Sequence, residues 1–196
     1  YEGQLVREVG ARWERQADEA GNVSYPHALL LLLDVVGKAS DPGDEQALPE
    51  RTRRAQQQAR DTLYLFGATH VLPFGTELLG IFAGDEATLT ISPEARLLRA
   101  AFALLKALPR ERGVQVYLQS GPLVLISMDD ALHGDSGHAL MPGPTLTALT
   151  AARDAGRAAG WRITASREIA DALGASISVG RTATTASMLG SSPPPS

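Results

Sequence analysis

Val71-Leu-Pro-Phe-Gly-Thr-Glu-Leu-Leu-Gly-Ile-Phe82 decides how this chain folds. His70 to Leu72 and Leu78 to Phe82 read as short strands, and Pro73-Phe74-Gly75-Thr76 reads as the turn between them. Apolar runs split by a Gly-containing turn predict a β-hairpin. A second stretch, Leu31-Leu-Leu-Asp-Val-Val-Gly37, closes another apolar run from Pro26 to Val36. Its leucines suit a helix by propensity. Its shortness and the stop at Gly37 favour a buried strand.

Outward from these two stretches, Glu50 to Leu65 reads as a helix rich in Arg and Gln, after a turn at Asp41-Pro-Gly-Asp44. Ser92-Pro93-Glu94 is a helix start, with Ser as cap, Pro at the first helical position and an acid in the first turn. That helix runs to about Leu108, where Pro109 stops it. Val114 to Gln119 and Leu123 to Met128 read as strands around the turn Ser120-Gly121-Pro122, followed by a polar loop from Asp129 to Gly137. Leu146 to Ala159 is an Ala-rich helix ended by Gly160. Trp161 to Thr164 is a strand, Ser166 opens a short helix, and residues 174 to 181 form a last strand. The order predicts an α+β domain with a mostly antiparallel sheet, ferredoxin-like, with helices on one face. Three segments follow: an N-terminal helical piece over 1–22 (helix over 4–18, with Leu5, Val6, Val9 and Trp13 on one stripe), a domain over 23–182, and a disordered Ser/Pro tail over 183–196.

Composition narrows the function. The 196 residues carry a net charge of −4, with 44% hydrophobic and 20% charged residues. That balance gives no basic footprint, so nucleic acid is not an expected partner. With no cysteine, disulfides, thiolate chemistry and a Cys-type zinc site are excluded. The longest apolar run, Ala28 to Leu33, is far too short to span a bilayer, and the first residues are polar. A cytoplasmic setting is the expectation.

The hairpin, the Asp-containing strand end, Val114-Gln-Val-Tyr-Leu-Gln-Ser-Gly-Pro122, and Pro142-Gly-Pro-Thr-Leu-Thr-Ala-Leu-Thr-Ala-Ala-Arg153 with Ile163-Thr-Ala-Ser166 beyond it carry a resemblance. In order and spacing, over roughly residues 27 to 172, the chain resembles the class III adenylate/guanylate cyclase catalytic domain. The resemblance implies a nucleotide-cyclase-like sheet and an active site at a two-fold interface. It also implies a reaction in which two carboxylates hold two divalent ions, Mg2+ or Mn2+, that activate a ribose hydroxyl against the α-phosphate.

On this chain the resemblance puts Asp34 at the first metal position but Thr76 at the second, and a neutral hydroxyl cannot replace a carboxylate for a hard cation. Glu77 is adjacent, but successive strand residues point to opposite faces, so it is not expected to substitute. The base-reading Lys falls on Leu72, within a pocket that includes Phe74, and the purine-reading Asp falls near Leu140. Counting from Gly143, the transition-state Asn falls on Thr147 and its Arg partner on Ala151. A two-residue slip of the helix register would bring Arg153 to the Arg position and Leu149 to the Asn position. Lys38, close after Asp34, is a candidate internal counter-ion for the emptied metal site.

Elsewhere the motifs are bland. His133-Gly-Asp-Ser-Gly-His138 lacks a third strong ligand at a known metal-site spacing, Ser120-Gly-Pro122 is a turn and no hydrolase elbow, and Arg51, Arg53, Arg54 and Arg60 form a solvated helix face. The leading expectation is a non-catalytic regulatory or dimerisation module with no cofactor, a homodimer or a heterodimer with another cyclase-like domain. Two alternatives stand beside it. One is a subunit of a heterodimeric cyclase using Mg2+ or Mn2+. The other is a small-ligand sensor using the apolar pocket around Leu72 and Phe74.

Overall fold

The structure, a computed structural model, describes residues 16–17, 21–34, 48–83, 91–108, 113–128, 132 and 137–174. Its strands are β1 (Gln16–Ala17), β2 (Val23–Asp34), β3 (His70–Phe74), β4 (Glu77–Phe82), β5 (Gln115–Ser127), β6 (His138–Leu140) and β7 (Ile163–Ala165). Its helices are α1 (Leu48–Leu65), α2 (Pro93–Ala107), α3 (Pro144–Ala159) and α4 (Arg167–Leu173). They form one sheet in the order β3-β4-β2-β5-β6. β1 pairs with β2, and β7 runs parallel to β5, while every other pairing is antiparallel. The α+β, mostly antiparallel architecture expected from the sequence is the observed one.

The leucine run of β2 is central and buried on both sides. Leu29, Leu31 and Leu33 face a core built with Ala59 and Leu63 of α1, Leu97 and Leu104 of α2 and Ile169 of α4. Leu30 and Leu32 face the other way, into a second cluster with Leu79, Ile81, Tyr117 and Leu149 of α3. This two-sided burial is why the run shows no polar alternation. Three helices share one face, and α3, which the sequence reading set on that face with them, lies over the other, where Leu149 packs against Leu30 and Leu32.

The hairpin forms with a tighter turn than read, because Pro73 pairs with Leu78 and stays in the strand. Phe74 pairs with Glu77 across the two-residue turn Gly75-Thr76. Gly75 takes φ 61 and Thr76 stays at negative φ, the backbone a type II′ hairpin turn requires of its first central residue. Ser92 caps α2 by accepting a hydrogen bond from the Ala95 amide.

Two local expectations are corrected. Gln16 and Ala17, expected at the end of a helix over 4–18, are strand residues that pair with Ser24 and Val23. The remainder of that stretch, the last strand near 174–181 beyond Gly174, and the Ser/Pro tail lie outside the described residues. Nor is Ser120-Gly121-Pro122 a hairpin turn: β5 runs straight through it. Opposite, β2 carries a bulge between Tyr25 and Ala28. Pro26 and Pro122 both lack a ladder donor, and an irregular stretch of pairing is where a sheet tolerates them.

Candidate functional site

β2 and β4 pair from Leu29 with Phe82 to Leu33 with Leu78. The next position in that register sets Asp34 opposite Glu77. On β2's other side Asp34 pairs with Gln115. Alternation along the strands puts Asp34, Glu77, Gln115 and Tyr117 on one face. This is the face that α3 covers.

α3 brings the cations. Its sheet-facing stripe begins with Leu146 and Leu149 and ends with Arg153 and Arg157, at helical spacing. Arg157 Nη2 donates to Asp34 Oδ2 at 2.7 Å and also donates to Glu77 Oε1. Arg153 Nη1 donates to both Glu77 carboxylate oxygens at 3.3 Å. The Glu77 side chain is only 4% exposed, so its charge requires partners. The Asp34 hydrogen bond, reinforced by the charge of Glu77, holds the Arg157 pKa above its ordinary value against the opposing effect of burial.

The helix can come this close because of Gly156. A Cβ there would lie 2.3 Å from Thr164 Oγ1 and 2.8 Å from Tyr117 Cε1. At the other end of α3, Thr145 Oγ1 donates to the Pro122 carbonyl at 2.6 Å. Tyr117 lies buried beneath the cluster, its hydroxyl donating to Gln115 Oε1 at 2.9 Å. Burial pushes its pKa up to about 12, with the nearby Arg157 charge opposing that rise.

Beside the cluster is a cleft of about 510 Å³. Leu72, Phe74 and Pro73 of the hairpin, Leu140 of β6, and Leu146, Thr147 and Thr150 of α3 line it. The structure thus gathers Leu72, Phe74, Leu140 and Thr147, which the resemblance assigned to one nucleotide pocket. The Thr147 hydroxyl donates to the Gly143 carbonyl of its own helix, and the Thr147 amide bonds the same carbonyl. Gly143 is the N-cap residue of α3. Arg153 lines the ion cluster and not the cleft. His138 also lines the cleft, its ring 5.5 Å from that of His70, whose Nε2 lies 2.8 Å from the Tyr25 hydroxyl.

Two readings of the carboxylates change. Glu77, set aside on strand parity, shares the face of Asp34, because the pairing aligns 34 with 77; Thr76 sits exposed in the turn. The partner described for Asp34 is Arg157; Lys38 lies outside the described residues. Arg157 went unnoticed in the sequence. Its signal was available: Arg at i and i+4 on a stripe that begins with leucines.

The resemblance implies a divalent ion at Asp34, and the residues present do not fit one. Mg2+ and Mn2+ need several free oxygens around them. Here both carboxylates already accept from guanidinium groups, and the two negative charges are matched by two positive ones. Among the described residues no group of three or more His, Asp or Glu is placed to hold a metal.

No family model and no curated protein matches the chain. Solved structures do. The adenylyl cyclase CyaB from P. aeruginosa superposes with a TM-score of 0.58 at 10% identity, over 78% of this chain and 82% of that one. The catalytic core of a rhodopsin-guanylyl cyclase with converted specificity, solved with ATPalphaS, gives 0.54 at 14% identity over 79% and 85%. The guanylate cyclase domain of RhGC from Catenaria anguillulae, solved with GTP, gives 0.53 at 15% identity over 78% and 84%. Likeness at such identity is likeness of fold, and with the sheet order and the helix over Asp34 it gives this chain the fold of the class III adenylyl/guanylyl cyclase catalytic domain.

Proposed function

We propose that the chain is a non-catalytic, cyclase-like module that acts by regulation or dimerisation in a signalling protein. The observation that carries this reading is the saturation of Asp34 and Glu77 by Arg157 and Arg153. A metal-dependent cyclisation needs its carboxylates free for the ions. It also needs an uncommitted cation for the transition-state charge, and Arg153 is spent on Glu77. Leu72 and Leu140 offer no hydrogen bond to a purine edge. Each missing group removes several kcal/mol of transition-state stabilisation, on the order of 3 kcal/mol apiece, so the combined loss leaves no useful rate.

A homodimer, or a heterodimer with another cyclase-like domain, is the assembly this reading expects. Leu72, Phe74, Leu140 and Leu146 of the cleft are half-buried, and Met141 and Met128 are about half exposed. Exposed apolar surface of this kind marks association sites. Sedimentation tests assembly, and a cyclic-nucleotide assay on the same sample tests catalysis. A dimer without product fits the proposal; product formation contradicts it.

The cleft supports a second reading, a sensor for a small neutral ligand. Its volume falls in the range of small-molecule sites, and its lining is apolar with a few hydroxyls. A thermal-shift panel of nucleotides and neutral analogues separates this reading from the first.

A further inference from the structure

We propose that Arg157 is a built-in replacement for a divalent cation: its guanidinium and a metal ion are alternative occupants of the Asp34–Glu77 pair. The carboxylates come from neighbouring strands at opposed positions. One Arg157 nitrogen, Nη2, reaches both. It therefore sits where an ion bridging the two strands would sit. Arg153 completes the neutralisation of Glu77 from one helical turn away. The guanidinium differs from an ion in one respect that matters: it belongs to α3. The cross-link between β2 and β4 is thereby also a tether for the helix that walls the cleft with Leu146, Thr147 and Thr150. A mobile cation would leave α3 free of that tie.

The consequence is specific. In the wild-type protein the guanidinium groups hold the carboxylate oxygens that a metal would need. Removing the guanidinium while keeping the carboxylates opens a site of two acidic side chains. Oxygen-rich sites of this kind take Mn2+ or Mg2+.

The inference deepens the non-catalytic reading, yet it is tested without an activity assay. Mn2+ is titrated by calorimetry, with free Mn2+ followed by electron paramagnetic resonance. The proteins are the full chain, Arg157→Gln, Arg153→Gln/Arg157→Gln, Arg157→Lys, and Arg153→Gln/Arg157→Gln with Glu77→Gln added. Wild type and Arg157→Lys are expected to show no saturable binding, since the charge is kept. The double glutamine variant gains a saturable site, about tenfold or more tighter than any wild-type binding, and Mn2+ raises its melting temperature. Adding Glu77→Gln abolishes both effects. Saturable Mn2+ binding to wild type that Asp34→Asn removes overturns the inference, even if no cyclic nucleotide is made. So does a folded double variant, judged by circular dichroism, that gains no site. If the double variant does not fold, Arg157→Gln alone carries the same two outcomes.

Discussion

Arg157 and Asp34 are 123 residues apart in the chain and 2.7 Å apart in the fold, joined by a hydrogen bond between opposite charges. Glu77 accepts from the same nitrogen of Arg157. The bond ties the last helix-borne cation of α3 to the end of the central strand. It also decides what the carboxylates can do.

Breaking that tie is expected to destabilise the protein. Arg157→Gln leaves Glu77, nearly fully buried, with Arg153 alone. Loss of a buried partner costs about 3–5 kcal/mol, but the Arg157 side chain is 40% exposed, so about 1–3 kcal/mol is the expected loss. Urea unfolding measures it. A stability equal to wild type would show that the cluster is ornamental to the fold.

Tyr117 sets a limit at high pH. Its folded pKa is raised to about 12 by burial, against about 10 when unfolded. The folded state then holds its proton where the unfolded state has lost it. The contribution is fully present below about pH 10 and is lost as pH rises towards 12, to the extent of about 2–3 kcal/mol. Tyr117→Phe should flatten this alkaline decline, and tyrosinate absorbance in wild type should show a late-titrating component that Tyr117→Phe removes. Tyrosinate absorbance developing near pH 10 that Tyr117→Phe lowers would contradict the burial argument.

Gly156 is required by closeness. Alanine normally gains about 1 kcal/mol over glycine inside a helix. Here the added methyl meets Thr164 Oγ1 and the Tyr117 ring, both inside 3 Å. Gly156→Ala is expected to cost about 1–3 kcal/mol net by thermal unfolding, through overpacking. A more stable variant would mean that α3 does not rest on β5 and β7 as described.

Phe82 tests the core. It is 2% exposed and packs in the helix-covered cluster with Leu29 and Leu63. Phe82→Ala should cost about 3–5 kcal/mol, a large share of the stability of a domain this size. An unchanged melting temperature would contradict the place of β4 in the sheet.

Much of the fold could be read from the chain. The Ser92 cap, the hairpin around Gly75 and the leucine run of β2 are local signals, and each formed the element it announced. Leu79, Ile81, Phe82, Val116 and Leu118 are buried as the strand pattern implied; Phe74 is half-buried at the rim of the cleft. Ser120-Gly121-Pro122 misled because a Gly-Pro pair signals a turn locally, while the bulge that lets β5 continue lies on β2, some ninety residues earlier.

The site was less legible, for a related reason. Leu72, Phe74, Leu140 and Thr147 were placed by resemblance, and the fold does collect them in one cleft. The ion cluster depends on strand register, which counts from the two-residue turn. Phe74 paired with Glu77 fixes β4, and β4 against β2 aligns Glu77 with Asp34. A motif match that places Thr76 opposite Asp34 cannot show this. Nor can local sequence show that α3 descends far enough at Gly156 for Arg157 to reach the sheet.

The most direct measurement is cyclic-nucleotide formation by the purified chain with ATP or GTP and Mn2+ at saturating concentration, beside the same reaction with Thr76→Asp. The expected result is no cyclic nucleotide from either protein, because the carboxylates stay paired with Arg157 and Arg153 and the cleft stays apolar. Metal-dependent product from the wild-type chain, lost in Asp34→Asn, would contradict it.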